Sequence, residues 1–207
     1  MFIVRFIYIP IILVSFLFAN NNSKNPFMIT VLEQNENYVI INYSINEYEL
    51  NQIESNGETF HDIILNGEPD FIIKGYPKLP HINRSLIIPD NLSSSVSIIE
   101  SEYSEVENLN IIPSKGNPKR NIDITTIPYI KGPIYSKNEF FPTNIVKLYN
   151  PYILRDYRGQ VVQINPFSYN PGSKILRIYT NLTIRVDFNS STGINQYMHR
   201  SHDSRKL

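Results

Sequence analysis

Between residues 181 and 188 the chain alternates without a break. Leu182, Ile184, Val186 and Phe188 fall on one side, and Asn181, Thr183, Arg185 and Asp187 fall on the other. A period of two is the mark of a β-strand with one buried and one wet face. This run closes a longer segment, residues 151–188, that reads as consecutive strands. Residues 161–169 and 174–180 flank Asn170-Pro171-Gly172-Ser173. There Pro presets φ at the second turn position and Gly takes positive φ at the third, as a type II turn requires.

The remaining chain carries the same short-strand signal. Strands are predicted at 27–33, 37–45, 59–65, 83–89, 96–100, 102–112 and 145–149, with 47–53 extending the second. Between them, Gly75-Tyr76-Pro77-Lys78-Leu79-Pro80 predicts an irregular, extended crossing, because each Pro pushes the residue before it out of the helical region. Residues 113–123 (PSKGNPKRNID) form the least structured and most basic interval within the domain. Pro128, Gly132 and Pro133 interrupt residues 127–134, and Glu139-Phe140-Phe141-Pro142 is a short aromatic landmark. No window shows an apolar stripe at helical spacing. Fourteen Tyr, eleven Phe and fourteen Pro fit the same reading. The expected architecture is all-β: a β-sandwich or jelly-roll-like domain over residues 27–188.

The ends differ in character. A short positive start with Arg5, an apolar run over residues 6–18 and the small Ala19 predict a signal peptide, residues 1–19. That run is short of the roughly 20 residues a membrane span needs, so no stable span is expected after cleavage. The mature chain would be secreted, extracellular or at the cell surface, with the periplasm as the other end point. Residues 20–26 read as a flexible lead. Residues 189–207 are polar and read as a disordered tail, with too little apolar surface to offset the entropy of ordering.

Composition excludes several kinds of chemistry. Nineteen basic residues balance nineteen acidic ones, so the basic excess of a nucleic-acid binder is missing. Without cysteine the chain has no disulfide, no thiolate metal site and no cysteine nucleophile. His199 and His202 lie three apart with only Asp203 beside them, which is not a metal set, and His61 and His81 read as isolated. Glu100, Glu102, Glu105 and Glu107 read as a wet strand surface. There is no Gly-x-Ser-x-Gly elbow or phosphate-binding glycine loop. No catalytic residue, cofactor or metal is expected. Arg155-Asp156-Tyr157-Arg158-Gly159 reads as a salt-bridged strand connection or as part of a partner-facing surface.

A family resemblance adds what composition cannot. The stretch ILRDYRGQVVQINPFSYNP followed by KILRIYT is preceded by GYPKLP, NRSL, IPSKG at 112–116, IPY at 127–129 and FFP at 140–142. In order and spacing these resemble the propeptide of the gingipain precursors, secreted cysteine proteases of the caspase-like type. The resemblance covers roughly residues 66–188, with a weaker continuation back to Phe27. It implies a β-sandwich prodomain that keeps a protease latent and assists its folding. The implied partner is a gingipain-like, caspase-fold cysteine protease, in cis or in trans. The family is one of cysteine-type endopeptidases, yet a chain without cysteine is not expected to be a peptidase itself. The chain would be the front end of a broken or split precursor, or would act alone.

The resemblance also implies an inhibitory loop made of Ser114, Lys115, Gly116, Pro118, Lys119, Arg120 and Asn121. In relatives joined to arginine-specific proteases, a basic residue after the Ser-Lys-Gly match enters the specificity pocket, and the corresponding residue is Arg120. A guanidinium suits a carboxylate at a pocket floor through two parallel hydrogen bonds. Lys119 leaves a lysine-selective partner open. The alternative is a stand-alone exported adhesion or interaction domain without inhibitory role.

Overall fold

The computed structural model describes residues 25–198. The expected signal peptide and most of the expected flexible lead lie outside these residues.

Eleven strands follow in chain order among the described residues: β1 (Phe27–Gln34), β2 (Tyr38–Ile45), β3 (Glu49–Ser55), β4 (Glu58–Ile64), β5 (Ile82–Ile87), β6 (Leu92–Val106), β7 (Val146–Leu148), β8 (Tyr152–Leu154), β9 (Tyr157–Ile164), β10 (Phe167–Asn170) and β11 (Ile175–Thr192). Two single 3-10 turns, Ile124–Thr126 and Pro133–Ser136, are the helical pieces among them. One sheet runs β1-β2-β11-β10, with β6 along the other edge of β11. A second runs β5-β9-β7, with β8 also paired to β9, and β3 and β4 form a separate hairpin.

The two larger sheets share one core. Val39, Ile41 and Tyr43 of β2 and Leu182, Ile184 and Val186 of β11 meet Val162 and Ile164 of β9 and Ile82 of β5. Ile63 and Leu65, at the end of the β3–β4 hairpin, join the same cluster. Burying one such aliphatic side chain stabilises by roughly 1.5–3 kcal/mol, so this alternation is what ties the sheets into a sandwich. The outer face of β11 is covered rather than bare. Asn42 Nδ2 donates to Asn181 Oδ1 at 2.7 Å and to Thr183 Oγ1 at 3.0 Å. Arg185 lies 3.7 Å from the centre of the Tyr38 ring and bonds Asp187 at 2.7 Å.

Four local expectations are corrected. The strands expected at 174–180 and 181–188 are one strand, β11, carrying an irregularity between Tyr179 and Asn181. The strands expected at 96–100 and 102–112 are likewise one edge strand, β6, because it pairs along the whole length of β11. β6 stops at Val106, and Asn108 then takes φ 61° and turns the chain out of the sheet. The strand expected over 161–169 is instead broken between Ile164 and Phe167, at Asn165-Pro166. The turn at residues 170–173 is not type II. Lys174, not Gly172, has positive φ, at 57°. Asn170 Oδ1 accepts from the main-chain N–H of Gly172 and Ser173 at 3.0 and 3.3 Å, an Asx-type cap.

The expected disordered tail is ordered through Met198, the last described residue. β11 continues past Phe188 to Thr192, with Asn189 opposite Ser93 and Thr192 opposite Leu92. The Gly193 N–H donates to Asn91 O at 2.9 Å and the Tyr197 N–H to Asp90 O at 2.9 Å. Hydrogen bonds rather than apolar burial hold this polar segment, which is why hydropathy missed it. Its centre is Arg158, fully buried at 0% exposure. Arg158 donates to the carbonyl oxygens of Pro89 (2.5 Å), Leu92 (2.7 Å), Ile194 (2.7 Å) and Asn195 (2.9 Å). Arg158, expected in a salt-bridged strand connection or a partner-facing surface, is instead buried and binds main-chain oxygens. Arg155, with φ 55°, and Asp156 form the actual two-residue β8–β9 connection.

Candidate functional site

Residues 109–116 do not belong to either sheet, yet their first half is rigid. The His61 N–H donates to Asn110 O at 2.7 Å and the Ile112 N–H to His61 O at 3.0 Å, which lays this segment beside β4. On its other side it meets the Pro-rich crossing. The Lys78 N–H donates to Ile112 O at 2.9 Å, the Ser114 N–H to Tyr76 O at 2.7 Å, and the Gly75 N–H to Ser114 O at 2.9 Å. Ile111 and Ile112 are buried, and Ser114 is buried with them. Tyr135 adds a bond from its hydroxyl to Ile111 O at 2.7 Å.

At Lys115 the chain leaves this frame. The Ser114 hydroxyl accepts from the Gly116 N–H at 3.2 Å, and Gly116 has φ 83°. A side chain at Gly116 would strain that backbone and press on Lys74. Residues 117–123 then project, with Lys119, Arg120, Asn121, Ile122 and Asp123 all exposed. The loop closes on Asp123, whose Oδ1 accepts from the Thr125 N–H at 2.9 Å and the Thr125 hydroxyl at 2.7 Å. Those two bonds hold the Asp123 carboxyl below its usual range. Lys115 completes the closure, donating from Nζ to Ile124 O at 2.9 Å while lying 4.1 Å from the centre of the Tyr129 ring. The size is that of an Ω-loop, about 6–16 residues with adjacent ends.

The seven residues singled out from the sequence thus divide by position. Ser114, Lys115 and Gly116 make the stem. Pro118, Lys119, Arg120 and Asn121 make the tip, where the Lys119 and Arg120 side chains form no ion pair or hydrogen bond among the described residues. Lys115, equal to them in the sequence, is committed to holding the loop closed.

The crossing that backs the stem is itself tied down. Lys78 Nζ lies 2.8 Å from Asp62 Oδ1 and 3.4 Å from Asp70 Oδ2. Burial raises the Asp70 carboxyl above its usual range against the pull of Lys78. Burial lowers the Lys78 ammonium, but the two carboxylates outweigh it and hold the group above its usual range. Behind them Phe71 packs on His81 at 4.7 Å and on Phe141 at 5.3 Å between ring centres. Not singled out by the sequence motifs are Ile72 and Ile124, exposed beside the stem, and Ile73, Ile122 and Ile130, exposed nearby in the chain. The available signal was isoleucine recurring inside a polar, Pro-interrupted interval.

Among the described residues no three His, Asp or Glu side chains stand where they could hold a metal ion. His199 and His202 lie outside those residues. No helix among them is long and apolar enough to cross a membrane.

Fold and loop together define an all-β domain that presents a basic tip on a rigid stem. The chain belongs to the Propeptide_C25 family, which it matches over residues 19–199. Gingipain R1 of Porphyromonas gingivalis is 48% identical over 122 residues, 59% of this chain and 12% of that protein. Lys-gingipain of the same organism is 23% identical over 153 residues, 70% of this chain and 9% of that one. The chain therefore spans about a tenth of the length of these relatives. Among solved structures, a complex of the pro- and mature domains of Porphyromonas gingivalis RgpB superposes with a TM-score of 0.79 at 29% identity, covering 85% of this chain and 92% of that one. A structure addressing the zymogenic latency of gingipain K has a TM-score of 0.69 at 18% identity, covers 82% and 96%, and shows the shared fold. The chain is a propeptide domain of this family, and its 207 residues contain no cysteine.

Proposed function

We propose that this chain is the exported propeptide of a gingipain-like cysteine endopeptidase and holds that protease latent, with Arg120 occupying its specificity pocket. The observation that carries the reading is the loop. In a family member whose structural relative was solved with its mature domain, the two tip cations stand unpaired and exposed on a stem hydrogen-bonded to two other segments. An exposed arginine whose donors are free is suited to a buried carboxylate, and a stem already ordered spares part of the entropy of binding.

Magnitudes assign the tip a partial share. A hydrogen bond to a charged group contributes roughly 1.5–3 kcal/mol, whereas nanomolar affinity corresponds to about −12 kcal/mol. The remainder belongs to a broad contact, typically about 800 Å² per partner. In a tethered precursor the demand falls, because a short linker supplies effective concentrations near millimolar. Assisted folding of the protease follows from the same contact, since a domain that binds only the folded protease stabilises it by mass action.

The test is titration of the full chain against mature gingipain R1 turning over an arginyl substrate. The reading predicts complete, saturable inhibition at or below micromolar concentrations. Full activity in a large excess of folded chain would overturn it and leave an adhesion or interaction domain.

A further inference from the structure

Beside the loop stem lies a cavity of about 340 Å³. Phe71, Ile72, Ile124 and Tyr129 line it, with Asp70, Lys78 and Lys115 as its charged members. Its volume sits at the low end of the roughly 300–1,000 Å³ of small-molecule sites and is ample for one large apolar side chain. The charges around it are already matched. Lys78 is paired with Asp62 and Asp70, and Lys115 is bonded to Ile124 O and stacked on Tyr129. What remains open is hydrocarbon: Ile72 is 60% and Ile124 52% exposed. Ile73, Ile122 and Ile130, close to them in sequence, are exposed as well. An open cavity with exposed apolar side chains in its wall is suited to taking up another apolar group.

We propose that this cavity is a docking pocket for an apolar side chain, aromatic or long aliphatic, projecting from the rim of the protease cleft that receives the Arg120 loop. The inference rests on the latency reading and deepens it. The argument for this occupant is continuity. Ile124 lines the pocket and, through its carbonyl, anchors Lys115 at the base of the loop. Lys115 and Gly116 on one leg of the loop and Ile124 on the other line the cavity together with Ile72, so a cleft that receives the tip has its rim next to this cavity. The contact is then reciprocal, a cation from this chain entering an acidic pocket while an apolar group of the partner enters this one. Buried anchors in fitted pockets of this sort dominate interface energetics, and the surrounding isoleucines exclude water from them.

The test measures binding of the full chain to mature gingipain R1 by calorimetry, with Ile72→Lys and Ile124→Lys as site variants. Ile87→Lys is the control. Ile87 is 71% exposed, lies on β5 and is not part of the cavity wall. All three positions are exposed, and thermal midpoints check that each variant folds. The proposal predicts at least tenfold weaker binding for both site variants and less than twofold change for Ile87→Lys. Unchanged binding by both site variants overturns the pocket, and if Arg120→Ala is weakened in the same series the loop reading survives without it. Loss of self-association in Ile72→Lys with protease binding intact also overturns it, in favour of a second copy of this chain as occupant. No binding by the unsubstituted chain overturns the pocket and the latency reading together.

Discussion

Lys115 and Ile124 close the loop: the ammonium donates to the Ile124 carbonyl at 2.9 Å from a position stacked on Tyr129. The bond is exposed and contributes about 1 kcal/mol. Its larger effect is on the ensemble the loop samples before binding, because residues left loose must be ordered when the partner docks. Lys115→Met is therefore expected to leave the thermal midpoint within a few degrees of the unsubstituted chain while weakening protease inhibition about three- to tenfold. Equal inhibition constants would show that the loop needs no closure.

Arg158 is the opposite case, a charge whose role is entirely internal. Burial pulls its guanidinium below its usual range, with Asp90 opposing, and four carbonyl oxygens from two segments share its donors. Removing a donor from buried acceptors costs about 1–3 kcal/mol for each group left unsatisfied. Arg158→Leu is expected to lose at least about 3 kcal/mol in urea unfolding and to release the Gly193 and Tyr197 amides, bonded to Asn91 O and Asp90 O, to rapid hydrogen exchange. Lysine should recover little, having a single ammonium in place of a planar fork. Gly193→Ala should share the exchange phenotype, since a Cβ there would clash with the Leu92 carbonyl and the Arg158 guanidinium.

His81 predicts a pH dependence. Burial lowers its folded-state value from 6.5, against the carboxylates of Asp70 and Glu68, and its Nδ1 is buried without a hydrogen-bond partner. The unfolded chain then binds the proton more readily than the folded one. Stability is full above about pH 6.5 and falls as the pH drops from there through the lower folded-state value. Asp70, raised from 3.8, works in the other direction, its contribution present at low pH and lost as the pH rises through its folded value. Urea midpoints from pH 7.5 to 5 should fall more steeply for the unsubstituted chain than for His81→Phe. Parallel curves would exclude His81 as the source.

Tyr43 tests how the core treats an unmatched polar atom. Its hydroxyl is buried without a partner, and burial pushes its ionisation up to about 12. Tyr43→Phe keeps the ring and removes the unsatisfied group, so it should be neutral or stabilising by about 1 kcal/mol in urea unfolding. A clear loss would mean that the hydroxyl is solvated in a way the core packing does not suggest.

The legible and illegible parts of this chain differ in what holds them. Leu182, Ile184 and Val186 announce their strand because burial of alternate side chains is written into the order of residues. The same holds for Val39, Ile41 and Tyr43. The division of strands was less legible: nothing local says that residues on both sides of Ser101 pair with one continuous neighbour, β11. Residues 189–198 were illegible because their order comes from carbonyls gathered around an arginine some thirty residues upstream. At the loop, composition marked an irregular basic interval, and the family resemblance supplied its role. Neither separated Lys115 from Lys119 and Arg120. That separation depends on where the chain returns at Ile124 and Tyr129, a long-range relationship with no periodic signal.

Under the proposed function Arg120, rather than Lys115 or Lys119, enters the protease. The most direct measurement is the inhibition constant of the full-length Arg120→Ala variant against mature gingipain R1, compared with that of the unsubstituted chain. Loss of one or two charge-assisted hydrogen bonds, roughly 1.5–3 kcal/mol each, predicts a weakening of about ten- to ten-thousandfold, with binding still detectable through the surrounding surface. An unchanged inhibition constant in a folded Arg120→Ala chain would contradict the account.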